Sequence, residues 1–122
     1  MHNAPVEEKV FGMCREELDS YPYGVVTLDR AGKILRYNAA EAKIARREGK
    51  TTVGLNFWRD VAPCTAVQGF KGRFDAFAQR TDAGIETFDF VFRFAWGTQD
   101  VSIMLMRMSG VDEINVVVRL KG

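Results

Sequence analysis

The segment Phe88-Asp-Phe-Val-Phe-Arg-Phe-Ala-Trp96 decides the fold class, because aromatic side chains occupy every second position over nine residues. A period of two is typical of a β-strand, whose side chains point alternately to its two faces. Five aromatic side chains on one face need a cover, so the pattern predicts that helices or a ligand pack there. Core packing is a sufficient explanation for Phe88 and Phe94. The next residues, Gly97–Asp100, predict a turn.

Four further segments predict the rest of a sheet. Residues 24–29 and 33–37 flank Arg30-Ala-Gly32, which indicates a hairpin with glycine at a positive φ. Residues 101–108 and 114–120 are apolar enough for two more strands. Five antiparallel strands are therefore expected.

Helical patterns lie between the second and third of these strands. Asn38 is a suitable N-cap for a helix through Arg47, and residues 56–60 predict a short helix before Pro63. From Gly69 an apolar stripe has helical spacing and comprises Phe70, Phe74, Phe77 and Ala78. The order predicts an α+β domain with short helices inserted after strand 2. Residues 1–22 are expected to form an N-terminal helical cap on a core of residues 23–122.

Composition narrows the class of function. The chain has 122 residues, 47% of them hydrophobic, and 17 Lys and Arg against 16 Asp and Glu, for a net charge of +1. This balance argues against a nucleic-acid partner, and no apolar run approaches the roughly 20 residues that span a bilayer. One histidine and two cysteines argue against a metal site and a hydrolytic triad. A soluble, cytoplasmic, non-enzymatic domain is expected.

Tyr37 and Glu41 are four residues apart across the predicted junction of strand and helix, so their side chains can converge. The apolar residues after Glu41 predict a carboxyl whose pKa is raised by burial and which stays neutral as a hydrogen-bond donor. On spacing alone, a solvated Glu41 paired with a neighbouring cation explains the pattern better.

Cys64 follows Pro63 in a predicted loop between helices. A single cysteine is more often a small buried apolar residue than a reactive one. The loop position nevertheless favours a functional thiol, since binding residues concentrate in loops.

Three segments together resemble a known family: Leu18-Asp-Ser-Tyr-Pro-Tyr-Gly24, Leu35-Arg-Tyr-Asn-Ala-Ala-Glu41 and Gly54-Leu-Asn-Phe-Trp-Arg-Asp-Val-Ala-Pro-Cys-Thr65. They are similar to the photoactive yellow proteins, which are blue-light receptors of the PAS superfamily. The resemblance covers nearly the whole chain and implies the PAS fold.

The resemblance also implies the site. The family carries p-coumaric acid (4-hydroxycinnamic acid) as a thioester on a cysteine, which matches Cys64. Tyr37 and protonated Glu41 match the donors to its phenolate oxygen, and Arg47 matches the arginine that covers its ring. The remaining residues implied to line the pocket are Phe57, Val61, Ala62, Pro63, Phe90, Phe92 and Trp96.

The implied function is blue-light sensing. Isomerisation of the chromophore is followed by proton transfer from Glu41, partial unfolding and signalling to a downstream protein that the sequence does not identify. A monomer or weak dimer is expected. Two alternatives stay open: a PAS ligand-binding or interaction module that has lost its pigment, and a thiol or acyl-transfer enzyme using Cys64. Departures from the family at Ala45, Phe90 and Trp96 keep the first alternative open.

Overall fold

The computed structural model describes residues 22–46, 52–80, 84–107 and 112–121. The predicted cap and Arg47 therefore lie outside the described residues, apart from residue 22. The strands are β1 (Gly24–Leu28), β2 (Ile34–Tyr37), β3 (Gly84–Phe94), β4 (Gly97–Arg107) and β5 (Ile114–Leu120). The helices are α1 (Ala39–Ala45) and α2 (Arg73–Ala78), with π-helical turns at Phe57–Val61 and Gln68–Gly72 and a 3-10 turn at Pro63–Thr65.

The five strands form one antiparallel sheet in the order β2-β1-β5-β4-β3. The predicted α+β class, with helices inserted after strand 2, is confirmed. The first strand, β1, and the last, β5, are neighbours within the sheet. No helix among the described ranges is long and apolar enough to cross a membrane.

The aromatic strand has the predicted alternation but different ends. β3 begins at Gly84, and the side chains of Phe88 and Phe92 are buried while Asp89 and Arg93 are exposed. The predicted turn at 97–100 is wrong, because Gly97 already pairs with Phe94 and begins β4. The turn is Ala95 and Trp96, and Gly97 follows it with φ +149°.

The hairpin between β1 and β2 is confirmed, and two features of the structure require glycine at position 32. Gly32 has φ +93°, a left-handed conformation that favours glycine. A Cβ at this position would also collide with the indole of Trp58, which lies directly against the turn. Backbone bonds from Ile34 N to Leu55 O (2.9 Å) and from Phe57 N to Gly32 O (2.8 Å) fix the helical segment beside β2.

The main core lies between one face of the sheet and the helices. The predicted stripe is confirmed, since Phe70, Phe74, Phe77 and Ala78 are all buried. They pack in one cluster with the side chains that β1 and β5 direct to this face, namely Val26, Leu28, Ile114, Val116 and Val118.

The opposite face of the sheet, here called the outer face, is also buried. Val25 and Thr27 alternate with the core-facing residues of β1 and pair with Val117 and Asn115 of β5. All four are at most 1% exposed, although Val25 and Val117 do not belong to the main core cluster. Among the described residues, the helices pack on the other face.

Candidate functional site

Helix α1 follows Asn38, whose side chain joins the helix to β1. Its Oδ1 accepts hydrogen bonds from Glu41 N (3.0 Å), as an N-cap does, and from Val25 N (2.8 Å). Its Nδ2 donates to Tyr23 O (2.9 Å). The predicted cap is confirmed, and it has the further role of fixing the start of α1 against β1.

Glu41, in the first turn of α1, is buried within the protein. Its side chain is 2% exposed and lies against Gly24 of β1, where an added Cβ would collide with Glu41 Oε1. Among the described residues Oε1 has no hydrogen-bond partner. Burial raises the pKa of Glu41 from 4.5 to about 8. The carboxyl is therefore predominantly neutral at pH 7, and the solvated alternative is wrong.

Tyr37 lies on the same face of the sheet as this carboxyl. Tyr37 pairs with Val26, and directly opposed residues of neighbouring strands share a face. Gly24 is two residues from Val26 and faces the same way, and Glu41 covers it. The Tyr37 ring belongs to the core cluster and its hydroxyl is buried. The structure thus brings the two predicted donors to one region of one face.

Cys64 is held on a tight turn beside β3. Pro63 begins the turn, and Thr65 closes it with bonds from N (2.9 Å) and Oγ1 (2.6 Å) to Ala62 O. The Cys64 thiol is half-buried, and its Sγ accepts a hydrogen bond from Arg93 N (3.4 Å). The sulfur therefore has a defined position against β3.

Aromatic side chains fill the space beside this turn. Phe70 is central, with ring centroids 6.0 Å from Phe57, 5.1 Å from Phe90 and 6.3 Å from Phe92. Phe57 and Phe92 are buried and Phe90 is half-buried. Of the other predicted lining residues, Ala62 is buried, Val61 is half-buried and packs on the core cluster, and Pro63 is exposed.

At the end of β3, Trp96 lies on the protein surface. It is 42% exposed and stacks on Phe94 with centroids 4.7 Å apart and planes 14° apart. The guanidinium carbon of Arg46 lies 3.9 Å from the centre of its ring. Arg46 therefore provides the arginine contact that the structure describes at this edge of the site; Arg47, the predicted covering residue, lies outside the described residues.

Arg46 also ends α1, which corrects the predicted helix end at Arg47. Its backbone is left-handed, with φ 56° and ψ 46°, and its N–H donates to Ala42 O. This conformation costs a residue with a side chain about 1–2 kcal/mol. Its role could not be anticipated, because the contact with Trp96 joins residues fifty positions apart in sequence. The close approach of Gly24 to Glu41 also escaped sequence reasoning, although a glycine inside a strand is a known sign of close packing.

Four relatives of this chain are named photoactive yellow protein. A photoactive yellow protein of Rhodothalassium salexigens is 32% identical over 102 residues, covering 84% of this chain and 81% of that protein. One from Cereibacter sphaeroides is 39% identical over 75% of this chain and 71% of the relative. The chain belongs to the photoactive yellow protein family. The expected family is thereby confirmed.

Two further similarities support this membership. The photoactive yellow protein of Halochromatium salexigens is 45% identical over 69 residues, and the match spans 55% of that protein's length. The photoactive yellow protein domain of the sensor histidine kinase Ppr from Rhodospirillum centenum superimposes with a TM-score of 0.84 at 34% identity, covering 93% of this chain and 99% of that one. No protein-family model matches the chain.

The fold also occurs in more distant PAS domains. A PAS domain of an HTR-like protein from Haloarcula marismortui has a TM-score of 0.68 at 15% identity over 93% of this chain. At that identity the likeness concerns the fold alone. The PAS fold predicted from the sequence is confirmed.

Proposed function

We propose that this chain is a blue-light sensor that binds p-coumaric acid as a thioester on Cys64. The observation that carries the proposal is the enclosed, neutral carboxyl of Glu41, whose Oε1 has no hydrogen-bond partner among the described residues. A buried polar atom without a partner is costly, and such an atom in a folded protein calls for an explanation. A buried acceptor on a bound molecule would supply one.

The residues on this face fit a phenolate oxygen. A neutral carboxyl and a phenol hydroxyl are both donors, and a phenolate oxygen accepts more than one hydrogen bond. Bonds to a charged acceptor are short and about twice as strong as neutral ones, which offsets the cost of burying the anion. Glu41 and Tyr37 would hold this oxygen, and Phe57, Phe90 and Phe92 would pack against the ring.

Cys64 would provide the covalent attachment. Its sulfur would form a bond to the acyl carbon of an activated p-coumaroyl ester as the leaving group departs, and the thiol proton would pass to solvent. The turn Pro63–Thr65 and the bond from Arg93 N hold this sulfur in place. The product is one stable adduct, so no turnover is expected.

The light response follows from the buried carboxyl. When bound, the group would supply absorption of blue light and a double bond that isomerises. Glu41 would then give up its proton and remain as a buried carboxylate. An uncompensated buried charge costs several kcal/mol, against a total stability of about 5–15 kcal/mol for a domain. Loosening of the fold is the expected consequence.

The part to be released would be residues 1–22, the predicted cap. The buried outer face of the sheet, formed by Val25, Thr27, Asn115 and Val117, supports a covering segment there. Its release would offer a new surface to a downstream signalling protein in the cytoplasm. No nucleic acid, membrane or metal takes part in this proposal, and the dark state is a monomer or weak dimer.

Reconstitution tests the proposal directly. The purified chain is incubated with an activated p-coumaroyl ester and analysed by absorption spectroscopy and peptide mass mapping. We expect one visible band, one added p-coumaroyl group on Cys64, and reversible bleaching after a blue flash. Cys64→Ala should abolish all three, whereas Cys14→Ala should abolish none.

The rival functions give different results. Absence of a band with intact, folded protein would indicate a pigment-free PAS module. Hydrolysis of many equivalents of ester dependent on Cys64 would indicate a thiol enzyme. A label found on Cys14 would contradict the assigned attachment point.

A further inference from the structure

Phe94, Trp96 and Arg46 form a stack at the edge of the site. The Phe94 and Trp96 rings are nearly parallel, and the Arg46 guanidinium lies over the Trp96 ring, with its carbon 3.9 Å from the ring centre. A cation at this distance from an indole is attracted by its π-electrons. Trp96 is nevertheless 42% exposed, so simple burial does not account for its position.

The stack connects two parts of the molecule that are distant in sequence. Arg46 ends α1, the helix that carries Glu41, and Trp96 lies in the turn between β3 and β4. The other end of α1 is already fixed by Asn38. A helix of seven residues is not stable by itself and depends on tertiary contacts.

We propose that Arg46 is a positioning residue that, by stacking on Trp96, holds α1 closed over the sheet and keeps water from the Glu41 carboxyl. The left-handed backbone of Arg46 is consistent with this role, because a residue other than glycine accepts that conformation only where other contacts stabilise it. The effect of the stack on the light response rests on the proposed function, whereas its effect on Glu41 does not.

The test follows titration of the Glu41 carboxyl by ¹³C NMR in the pigment-free full chain. On this face β1 presents Gly24 and β2 presents the Tyr37 hydroxyl. The described cations nearest in sequence are Lys43 of α1 and Arg46, which follows α1. Because burial raises the pKa of Glu41, admission of water should lower it. Loss of the Arg46 charge alone would change the pKa in the opposite direction, since a nearby cation favours the carboxylate.

Three single variants and one double variant separate these effects. Arg46→Gln and Trp96→Leu should each lower the pKa of Glu41, and the double variant should lower it no further than either one. Arg46→Lys, which keeps a cation over the ring, should lie close to the unaltered protein. Hydrogen exchange of the Ala42 to Ala45 amides should rise about two- to fivefold in the first two variants, as expected for loss of one exposed cation–π contact.

Arg73→Gln is the matched control. Arg73 lies over Phe88 at 5.0 Å, a contact of the same kind on α2, and its loss should leave Glu41 unchanged. A raised or unchanged Glu41 pKa in Arg46→Gln, or additive effects of Arg46→Gln and Trp96→Leu, would overturn the proposal. Failure to bind pigment would contradict the proposed function and leave this result standing.

Discussion

At the scale of single residues, Glu41 has the largest consequence for the site. A carboxyl buried against Gly24 stays protonated because the charged form has no water around it. Because of this environment, the free energy of unfolding depends on whether Glu41 is protonated. In the unfolded chain the group ionises near pH 4.5, and in the folded protein only near pH 8.

Stability of the pigment-free protein should therefore fall as the pH rises through this window. Between about pH 4.5 and 8 the folded state holds a proton that the unfolded state has released, so raising the pH favours unfolding. The slope from this residue is about 1.4 kcal/mol per pH unit. Urea unfolding at several pH values should show that Glu41→Gln lacks this decline. Parallel curves for the two proteins would contradict the assignment, and Glu86→Gln on β3 serves as the control.

The close approach of Gly24 gives a second prediction for a single residue. In Gly24→Ala the new methyl group would collide with Glu41 Oε1, and we expect a loss of about 1–3 kcal/mol of stability together with poor pigment binding. Gly69→Ala is the matched control, because a Cβ there meets no atom within 4 Å. Chemical unfolding of both variants decides the matter: similar stabilities would show that the carboxyl has room to move.

The sequence could identify Glu41 and Cys64 as candidates, but their environments depended on tertiary contacts. Four-residue spacing left open whether Glu41 was solvated, and its burial against Gly24 of β1 depends on the tertiary fold. The family resemblance assigned the covering arginine to residue 47. Residue 47 lies outside the described residues, and the arginine contact that the structure describes at the edge of the site belongs to Arg46.

At the scale of elements, α1 depends on Asn38 for its position on the sheet. This side chain makes hydrogen bonds to Glu41 N, Val25 N and Tyr23 O, and it is itself 2% exposed. A cap residue of this kind does two tasks, since it satisfies the free end of a helix and a strand amide at the same time. Glu41 reaches Gly24 because the helix begins at this fixed point.

We expect Asn38→Ala to cost about 2–4 kcal/mol, from the lost cap and the buried Val25 amide left without its acceptor. Asn56→Ala is the comparison. Asn56 caps the turn Phe57–Val61 in a more exposed position, and its loss should cost about 1 kcal/mol. Urea unfolding measures both, and equal losses would show that Asn38 acts only as a helix cap.

Periodicity predicted the type of each element better than its ends. The alternation of β3 was visible because its aromatic residues all face one layer of helices. The turn after β3 was predicted too late in the sequence, because glycine is a common turn residue and Gly97 was taken as the start of the turn. In the structure the turn consists of the two residues before Gly97, and Gly97 itself begins β4 with a positive φ. The position of the turn is set by the pairing of Gly97 with Phe94, and the sequence of a single segment does not show which residues pair.

At the scale of the whole molecule, β1 contributes alternate residues to both buried faces of the sheet. Gly24 and Val26 face the buried carboxyl and the core, while Val25 and Thr27 between them face the outer side. Thr27 Oγ1 donates to Asn115 Oδ1 at 2.6 Å on that outer face. The Glu41 carboxyl and the outer face proposed to hold residues 1–22 are therefore separated only by the thickness of β1.

This arrangement leads to a prediction for the pigment-loaded protein under blue light. Hydrogen exchange measured by mass spectrometry should increase in residues 1–22 and in β1 and β5, and it should return to the dark level afterwards.

Glu41→Gln should bind the pigment with its absorption shifted to longer wavelength, because an amide is a weaker donor to the phenolate. Gln also has no proton to transfer, so no buried carboxylate forms and the increase in exchange should be much smaller. Glu86→Gln, which alters a carboxyl on β3, should respond like the unaltered protein. An equal increase in Glu41→Gln would separate the loosening from proton transfer and would locate its cause in the isomerisation alone.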